Sequence, residues 1–341
     1  MAKKALLGNT LTELQEIVKA NGLPAFSAKQ IADWLYKKRV TTIEEMTNIS
    51  AANREKLAEK YCVGAKKPTE KSESKDKTKK YLFETGKNKY IEAVFIPEKE
   101  RFTLCISSQV GCKMNCLFCA TGKQGFGGNL TVGEILNQVQ SIDESEQLTN
   151  IVFMGMGEPL DNVTEVLKAI EIITAEYGYG WSPKRVTLST SGILPHLKTF
   201  LDQTQCNLAI SLHSASKLER KELMPIEKTY AISEVINLVK LYDWSHQRRI
   251  SFEYILFNEL NDTEEQALLL AEMLRHIDCR VNLIPYHPIP EVGLTPSSRD
   301  KIENFQRILT RKHITTTIRR SRGQDIDAAC GMLSTKKLKT V

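Results

Sequence analysis

The stretch Cys112-Lys113-Met114-Asn115-Cys116-Leu117-Phe118-Cys119 gathers three thiols at C-x3-C-x2-C spacing, directly after the apolar run Thr103-Leu104-Cys105-Ile106-Ser107. No fourth cysteine or histidine follows within ligand reach. A structural zinc ion is normally closed by four protein ligands, so three thiolates alone suit it poorly. They suit an iron–sulfur cluster that keeps one iron open to another ligand. Three unrelated buried cysteines have no reason to fall at this spacing. The expectation is a metal site on Cys112, Cys116 and Cys119 with one coordination position to spare.

Four further segments carry groups that could surround such a centre. Met154-Gly-Met-Gly-Glu-Pro159 combines small residues, which let a ligand approach the backbone, with the carboxylate of Glu158. Ser189-Thr-Ser-Gly192, Ser211-Leu-His213 and Asn282-Leu-Ile-Pro285 add hydroxyls, an imidazole and an amide. Singly, each has an ordinary explanation as a glycine turn, a helix cap or a satisfied histidine. Their value depends on where the fold puts them.

From about residue 101 the pattern is strand, loop, helix, repeated. Strands are expected at 103–107, 150–154, 185–189, 206–212, 250–256 and 280–285. Helices are expected at 131–140, 162–176, 193–202, 232–243, 263–277 and 297–313, the first two opened by the capping boxes Thr131-Val-Gly-Glu134 and Asn162-Val-Thr-Glu165. Six such units imply an α/β fold with a parallel sheet and right-handed crossovers. A doubly wound sheet and a partial barrel both fit that alternation. In either, chemistry collects at the carboxyl ends of the strands, and all the segments above fall there. Together they predict one polar pocket.

Upstream, Thr10-Leu-Thr-Glu13 and Ser27-Ala-Lys-Gln30 read as capping boxes of two short helices, and a third runs from about Ala51 to Tyr61. Residues 64–80 are lysine-rich and read as a linker or exposed edge strand. Lys80-Tyr-Leu-Phe-Glu84 and 90–96 flank Thr85-Gly-Lys-Asn88 as a β-hairpin. Within it, Glu92 taken alone is an outward-facing strand residue.

Hydrophobic content of 41%, charged content of 26% and a net charge of +6 over 341 residues fit a soluble globular protein tolerant of a polyanionic partner. No apolar run reaches membrane-helix length, and the N-terminus lacks a signal-peptide core. A cytoplasmic location is expected, where eight cysteines favour metal or catalytic work over structural disulfides.

The cysteine spacing, with Phe118 before the last thiol, resembles the signature of the radical SAM superfamily. The Met154–Pro159, Ser189–Gly192, Ser211–His213 and Asn282–Pro285 segments, and above all Arg322-Gly-Gln-Asp-Ile-Asp-Ala-Ala-Cys-Gly331, resemble its RlmN and Cfr branch of RNA methyltransferases, closer to RlmN. The resemblance spans essentially the whole chain. It implies a partial (β/α)6 barrel over 101–319, a small helical accessory domain over 1–63 that contacts RNA, a basic linker and β-hairpin over 64–100 bearing Glu92, and a C-terminal segment over 320–341 bearing Cys330.

It also implies a [4Fe–4S] cluster and two S-adenosylmethionine molecules consumed per methylation. Gly157 and Glu158 would meet the methionine amino end, and Ser189, Ser211, Leu212, His213 and Asn282 the rest of that cofactor. Cys330 would accept a methyl group, a radical made from it would add to adenine, and Cys105 would then attack the Cys330 sulfur to leave a transient disulfide. Glu92 would take the ring proton, against the outward-facing role its strand suggests. The implied partners are 23S rRNA, tRNA and an electron donor such as flavodoxin, for a monomeric protein that needs no membrane.

Lys66, Lys67, Lys79, Lys80, Arg319, Arg320, Arg322 and the tail residues Lys336, Lys337 and Lys339 are candidates for phosphate contact, with a solvated surface as the default for each. Cys62, Cys206 and Cys279 read as ordinary buried thiols. A base drawn out of its stack should meet an aromatic side chain, but no residue is singled out for this. Two alternatives remain. A Cfr-type enzyme would methylate C8 of the same rRNA adenosine; Met332, where glutamine is commoner, leaves it open. A zinc-dependent RNA-binding module would be non-catalytic.

Overall fold

The computed structural model describes residues 3–86, 88–245 and 248–335, so Lys336, Lys337 and Lys339 lie outside the described residues. Thr10 opens helix α1 (Leu11–Ala20) with a complete capping box, the Glu13 carboxylate accepting the Thr10 N–H at 2.7 Å. The second expected box does not form. Pro24 and Phe26 already turn the chain, Ser27 N–H bonds the Pro24 carbonyl at 2.9 Å, and Ser27 lies buried inside α2 (Ser27–Ala32). A π-helical turn over Asp33–Lys37 continues α2, and α3 (Ala51–Lys60) completes the module. Strands β1 (Lys4–Ala5) and β2 (Tyr61–Cys62) pair in parallel and close it.

This module packs directly on the rest of the chain. Gly8, at φ +95°, comes so close to Gly133 that a side chain there would have its Cβ 2.5 Å from the Gly133 nitrogen. Glu13 pairs with Lys168, and the Tyr36 and Tyr179 rings meet edge to face at 5.9 Å.

Ten strands then build one sheet. β3 (Glu70–Glu73), β4 (Lys79–Gly86), β5 (Lys89–Glu98) and β6 (Arg101–Cys105) run antiparallel to one another. A short two-stranded ribbon, β7 (Gln109–Gly111) and β8 (Phe126–Asn129), follows outside the sheet. β9 (Asn150–Phe153), β10 (Val186–Thr190), β11 (Asn207–Ser211), β12 (Ile250–Leu256), β13 (Cys279–Pro285) and β14 (Thr315–Ile318) extend β6 in a parallel run. Helices α4 (Ala120–Gln124), α5 (Val132–Gln140), α6 (Val163–Thr174), α7 (Leu194–Gln203), α8 (Lys217–Leu223), α9 (Ile232–Val239), α10 (Glu264–Leu274) and α11 (Arg299–Arg311) fill the connections. The parallel run has one strand more than expected. Thr315-Thr-Thr-Ile318 is short, hydroxylated and only partly buried, so no apolar run announces it.

The chain itself shows that the sheet curls. β14 and β3 are its opposite edges, about 43 Å apart if ten strands lay flat at roughly 4.8 Å spacing. Only five residues separate Ile318 from Gly323, a reach of at most about 18 Å. Yet Gly323 N–H bonds the Asp76 carboxylate at 3.1 Å, and Asp325 accepts from the Ser74 hydroxyl at 2.6 Å, both in the turn joining β3 to β4. The two edges must therefore approach each other, as in a partial barrel. Fully buried Leu104, Ile151, Leu188, Ile210, Phe252 and Val281 contribute to the core of this sheet. No helix among the described residues is long and apolar enough to cross a membrane.

Candidate active site

The β7–β8 ribbon frames the cysteine loop and α4. Glycine-rich Phe126-Gly-Gly-Asn129 shows no alternation of apolar and polar residues, which hides this ribbon in the sequence. Cys112 N–H bonds the Gly125 carbonyl at 3.1 Å, and Leu117 N–H bonds the Leu223 carbonyl at 2.9 Å. Phe118 joins Leu223, Met224, Ile255, Phe257 and Tyr286 in an apolar wall against which Cys116 and Cys119 lie. Burial pushes the Cys112 thiol up to about 12. It pushes Cys116 well above the ordinary range, and the neighbouring Cys119 and Cys112 thiols act in the same direction. Three thiolates against a dry wall need a positive centre between them.

Among the described residues, no three His, Cys, Asp or Glu side chains converge on a point that could hold one metal ion. Three thiolates with no fourth protein ligand leave a structural zinc ion one ligand short. A four-iron cluster asks for something else, because each thiolate binds its own iron and none must converge with the others. Three soft donors, an apolar wall and no fourth protein ligand fit such a cluster.

The strand-end loops are riveted together, and the key rivets are residues that the spacing of motifs does not reveal. Gln109 accepts the Glu158 N–H at 3.0 Å and donates to Asn129 and Asp161. Gly157 has φ +99°, and a Cβ there would stand 2.5 Å from the Gln109 Cβ, so only glycine fits. Asn162 caps no helix; its amide bonds the Ser108 and Leu130 carbonyls, and Glu165 is taken by the Val132 N–H. The fourth expected capping box is thus spent on tertiary contacts.

Glu158 is buried, and burial raises its pKa against the pull of four donors. Leu160 N–H and the Thr190 hydroxyl bond one oxygen; Ser191 N–H and the Ser191 hydroxyl bond the other. A carboxylate offers about four lone-pair sites, so all are occupied. Its work here is to join the ends of β9 and β10, and contact with an amino group would have to displace one of those donors. Arg220, fully buried on α8, bonds the Ser191, Ser211 and Leu212 carbonyls at 3.0–3.1 Å and pairs with Glu227. It braces the ends of β10 and β11. An inward arginine on a charged helix gives no sign of itself in sequence.

His213 is the satisfied histidine. It has left-handed backbone at φ +57°, and its carbonyl accepts from Asn261 at 2.6 Å. Its Nδ1 accepts the Ile255 N–H at 3.1 Å, which puts the ring proton on Nε2. Burial, helped by Arg220, lowers its pKa to about 3, so the ring stays neutral while its edge packs on Phe118 at 4.8 Å. Register then aligns Ser211, Glu253, Asn282 and Thr317 across β11–β14. Asn282 donates to Glu253 at 2.7 Å and accepts from Thr317 at 2.6 Å. Ser189 is half-buried on β10. The expected pocket residues thus share one end of the sheet, several of them already engaged with one another.

Glu92 is not outward-facing. It is buried, its Oε1 lies 2.9 Å from the Lys80 ammonium, and its Oε2 accepts the Ser334 N–H at 3.0 Å. Burial raises its pKa, while Lys80 and the Ser334 N–H pull it down. The Ser107 hydroxyl joins its backbone carbonyl to the Met156 N–H, tying β5 to the loop after β9.

Cys105 ends β6, buried, with its thiol pushed up by burial and by the Cys330 thiol. Cys330 is solvent-accessible, with protein groups close around its thiol. Burial raises it; Arg319 pulls it down and Glu253 pushes it up. Both thiols are free. The segment bearing Cys330 is anchored to α4: Ala120 N–H bonds the Gly331 carbonyl at 2.8 Å, Thr121 the Leu333 carbonyl at 2.7 Å, and Gln124 the Thr335 hydroxyl at 2.6 Å.

Several candidates for phosphate contact are otherwise employed. Lys79 pairs with Glu144 at 2.6 Å and Lys80 with Glu92, both largely shielded, because their strand turns these side chains toward acidic partners. Arg319 and Arg322 lie 3.8 Å from Glu253 and Glu98. Lys66, Lys67 and Arg320 are surface or part-surface residues. Of the three remaining cysteines, Cys206 is buried and Cys279 partly so, but Cys62 is exposed at the edge of β2. The two-residue strand has no layer above it to cover that thiol.

Residues 106–271 match the radical SAM superfamily, and residues 4–63 match the ribosomal RNA large subunit methyltransferase N-terminal domain. A protein of Parabacteroides distasonis described as "Probable dual-specificity RNA methyltransferase RlmN" is 57% identical, covering 98% of each chain. The "Dual-specificity RNA methyltransferase RlmN" of a Marinomonas species is 42% identical over 97% of this chain and 93% of its own. The crystal structure of a radical SAM methyltransferase from Sphaerobacter thermophilus superposes with a TM-score of 0.91 at 38% identity, covering 97% of this chain and 99% of that one.

Proposed function

The chain belongs to the RlmN family of the radical SAM superfamily, and we propose that it methylates C2 of one adenosine in 23S rRNA and of the adenosine beside the anticodon in certain tRNAs. It is an S-adenosylmethionine-dependent RNA methyltransferase that works with a [4Fe–4S] cluster. The carbons of the adenine ring are electrophilic and offer no lone pair to a methyl-cation donor. Cys112, Cys116 and Cys119 would hold the cluster, which would supply the single-electron chemistry needed to make a carbon radical from the donor.

The chain's own residues do the rest. Cys330, as a thiolate, takes a methyl group and presents it as a thioether. After that carbon has joined C2, Glu92 removes the ring proton and the adduct's unpaired electron leaves it, the one-electron-oxidised cluster being the acceptor that would take it back. The Cys105 thiolate attacks the Cys330 sulfur, the displaced carbon picks up a proton to become the methyl group of the released base, and a disulfide is left for cellular thiols to reduce. Lys80 and the Ser334 N–H keep Glu92 charged and aimed. Gln109, Gly157, Glu158 and Arg220 fix the strand-end loops, and Ser189, Ser211, Leu212, His213 and Asn282 shape the wall that receives the donor.

In this scheme residues 1–63 dock RNA, 64–100 bring Glu92, 101–319 hold cluster and donor, and 320–341 carry Cys330. The scheme draws its groups from one chain. Reduction calls for a one-electron donor such as flavodoxin, and the substrates support a cytoplasmic site of action.

The observation that carries this proposal is the return of the C-terminal segment to the cysteine loop, which brings the Cys330 thiol within electrostatic reach of Cys105 and ties Ser334 to Glu92. Mass spectrometry of nucleosides from rRNA and tRNA, in cells with and without the protein, tests it. The expected product is 2-methyladenosine in both RNAs; 8-methyladenosine instead would refute the C2 assignment.

A further inference from the structure

We propose that Phe126, with Lys89, Lys113 and Lys123 around it, is a stacking platform for a nucleotide next to the target adenine in the RNA. The inference rests on the RNA-methylating function above and gives it a docking point.

Among the described residues, the exposed large hydrophobic side chains include only two aromatics, Phe26 and Phe126. Phe26 lies on the helical module. Phe126 is 42% exposed on β8, whose partner β7 leads straight into the cysteine loop. A large apolar ring left in water beside a reaction centre calls for a partner, and bases offer a π-face whatever their sequence.

The surroundings specify which partner. The Lys113 ammonium stands 4.3 Å from the Phe126 ring centroid and also pairs with Asp161 at 2.9 Å. The exposed Lys89 side chain donates to the Gly127 carbonyl at 2.7 Å, and exposed Lys123 sits three residues before the ring. An aromatic ring with the Lys113 ammonium over it, the Lys89 ammonium at the next residue and exposed Lys123 close by in the chain suits a phosphate-linked strand of bases. Gly127 and Gly128 add no side chains, and beside them lies a cavity of about 340 Å³ lined by Gly86, Lys89, Gly128 and Asn129, the lower end of the size range of ligand pockets.

The platform lies next to the proposed proton acceptor. Gln124, two residues before Phe126, bonds Ser334 and Thr335, and Ser334 N–H bonds Glu92. Two residues of chain span about 7 Å. This chain of contacts puts Phe126 within reach of a nucleotide neighbouring an adenine offered to Glu92.

The test uses cluster-loaded protein and an RNA stem-loop with 2-aminopurine beside the target adenine, comparing wild type, F126W and F126L. Only preparations matching wild type in iron content and in Cys330 methylation are compared. F126L should weaken binding about tenfold and abolish the quenching that stacking causes, while F126W keeps both. Lys89→Met and Lys123→Met should each lower the slope of log affinity against log salt by about 0.7. F126L with wild-type affinity, or with lost affinity but intact quenching, overturns the platform. A wild-type protein that methylates neither RNA overturns the function itself.

Discussion

Replacing Lys80 with methionine separates the proton-accepting step from those before it. Among the described residues Lys80 is the cation at hydrogen-bond distance from Glu92, at 2.9 Å, and both side chains are largely shielded from water. Two unit charges about 4 Å apart interact by roughly 4 kcal/mol at an effective dielectric of 20. If rearrangement of the site recovers half, about 2 kcal/mol of support for the charged carboxylate is lost, or about thirtyfold in its protonation equilibrium. The sign follows from the opposing influences. Burial favours the neutral acid and Lys80 the carboxylate, so removing Lys80 leaves burial unopposed except for the Ser334 N–H. Glu92 then holds its proton at higher pH, and the acidic limb of the methylation rate moves up the pH scale by more than one unit.

Methyl transfer to Cys330 and joining of its carbon to the base do not use Glu92. In K80M the Cys330 thioether should therefore form at the wild-type rate, while RNA covalently bound to protein accumulates at neutral pH and clears as pH rises. K80R should behave like wild type. Single-turnover assays resolved on denaturing gels between pH 6 and 9 read both quantities. An unchanged acidic limb in K80M, with no accumulated adduct, would refute Lys80 as the group that holds Glu92 charged.

Cys105→Ala should trap RNA on Cys330 at every pH, seen as a band that survives denaturation; normal turnover would exclude Cys105 as the resolving thiol. Gly157→Ala forces a Cβ to within 2.5 Å of the Gln109 Cβ at φ +99°. It should weaken donor binding at least tenfold in equilibrium dialysis and cost roughly 1–3 kcal/mol in stability, so wild-type binding would count against a tight loop there. Arg220→Leu strands buried Glu227 and leaves three strand-end carbonyls without their donor. Unfolding in denaturant should show a loss of about 3–5 kcal/mol, partly restored in R220L/E227L; equal losses in both would mean the ion pair is not what the arginine serves.

The alternating core was legible because buried parallel strands such as Ile250–Leu256 are mostly apolar and lie between amphipathic helices. The cysteine loop was legible because ligand spacing is local. Elements made by tertiary contact were not. β14 is polar and short, β8 is largely glycine, and Ser27 and Asn162, read as caps, are drawn into packing instead. Glu92 shows the same limit from the other side. On a strand with both faces covered, an acid among apolar neighbours points inward whenever a cation waits there, and nothing local announces that Lys80 does.

The segment with the least regular structure carries the most consequence. Residues 323–335 contain no strand and only one short helical turn, yet they bond to the β3–β4 turn, to α4 and to Glu92. Those attachments place Cys330, the proposed methyl-bearing thiol, and Glu92, the proposed proton acceptor, in one assembly fixed to the helix that leaves the cysteine loop. A change in how this segment is seated must therefore move Cys330 relative to Cys105 and alter the donor on Glu92 together. The two half-reactions share a mechanical element although they share no catalytic residue other than Cys330. Loss of the Gln124 contacts to Ser334 and Thr335 should consequently slow resolution of the adduct as well as its formation, an effect that a residue acting on one step alone would not have.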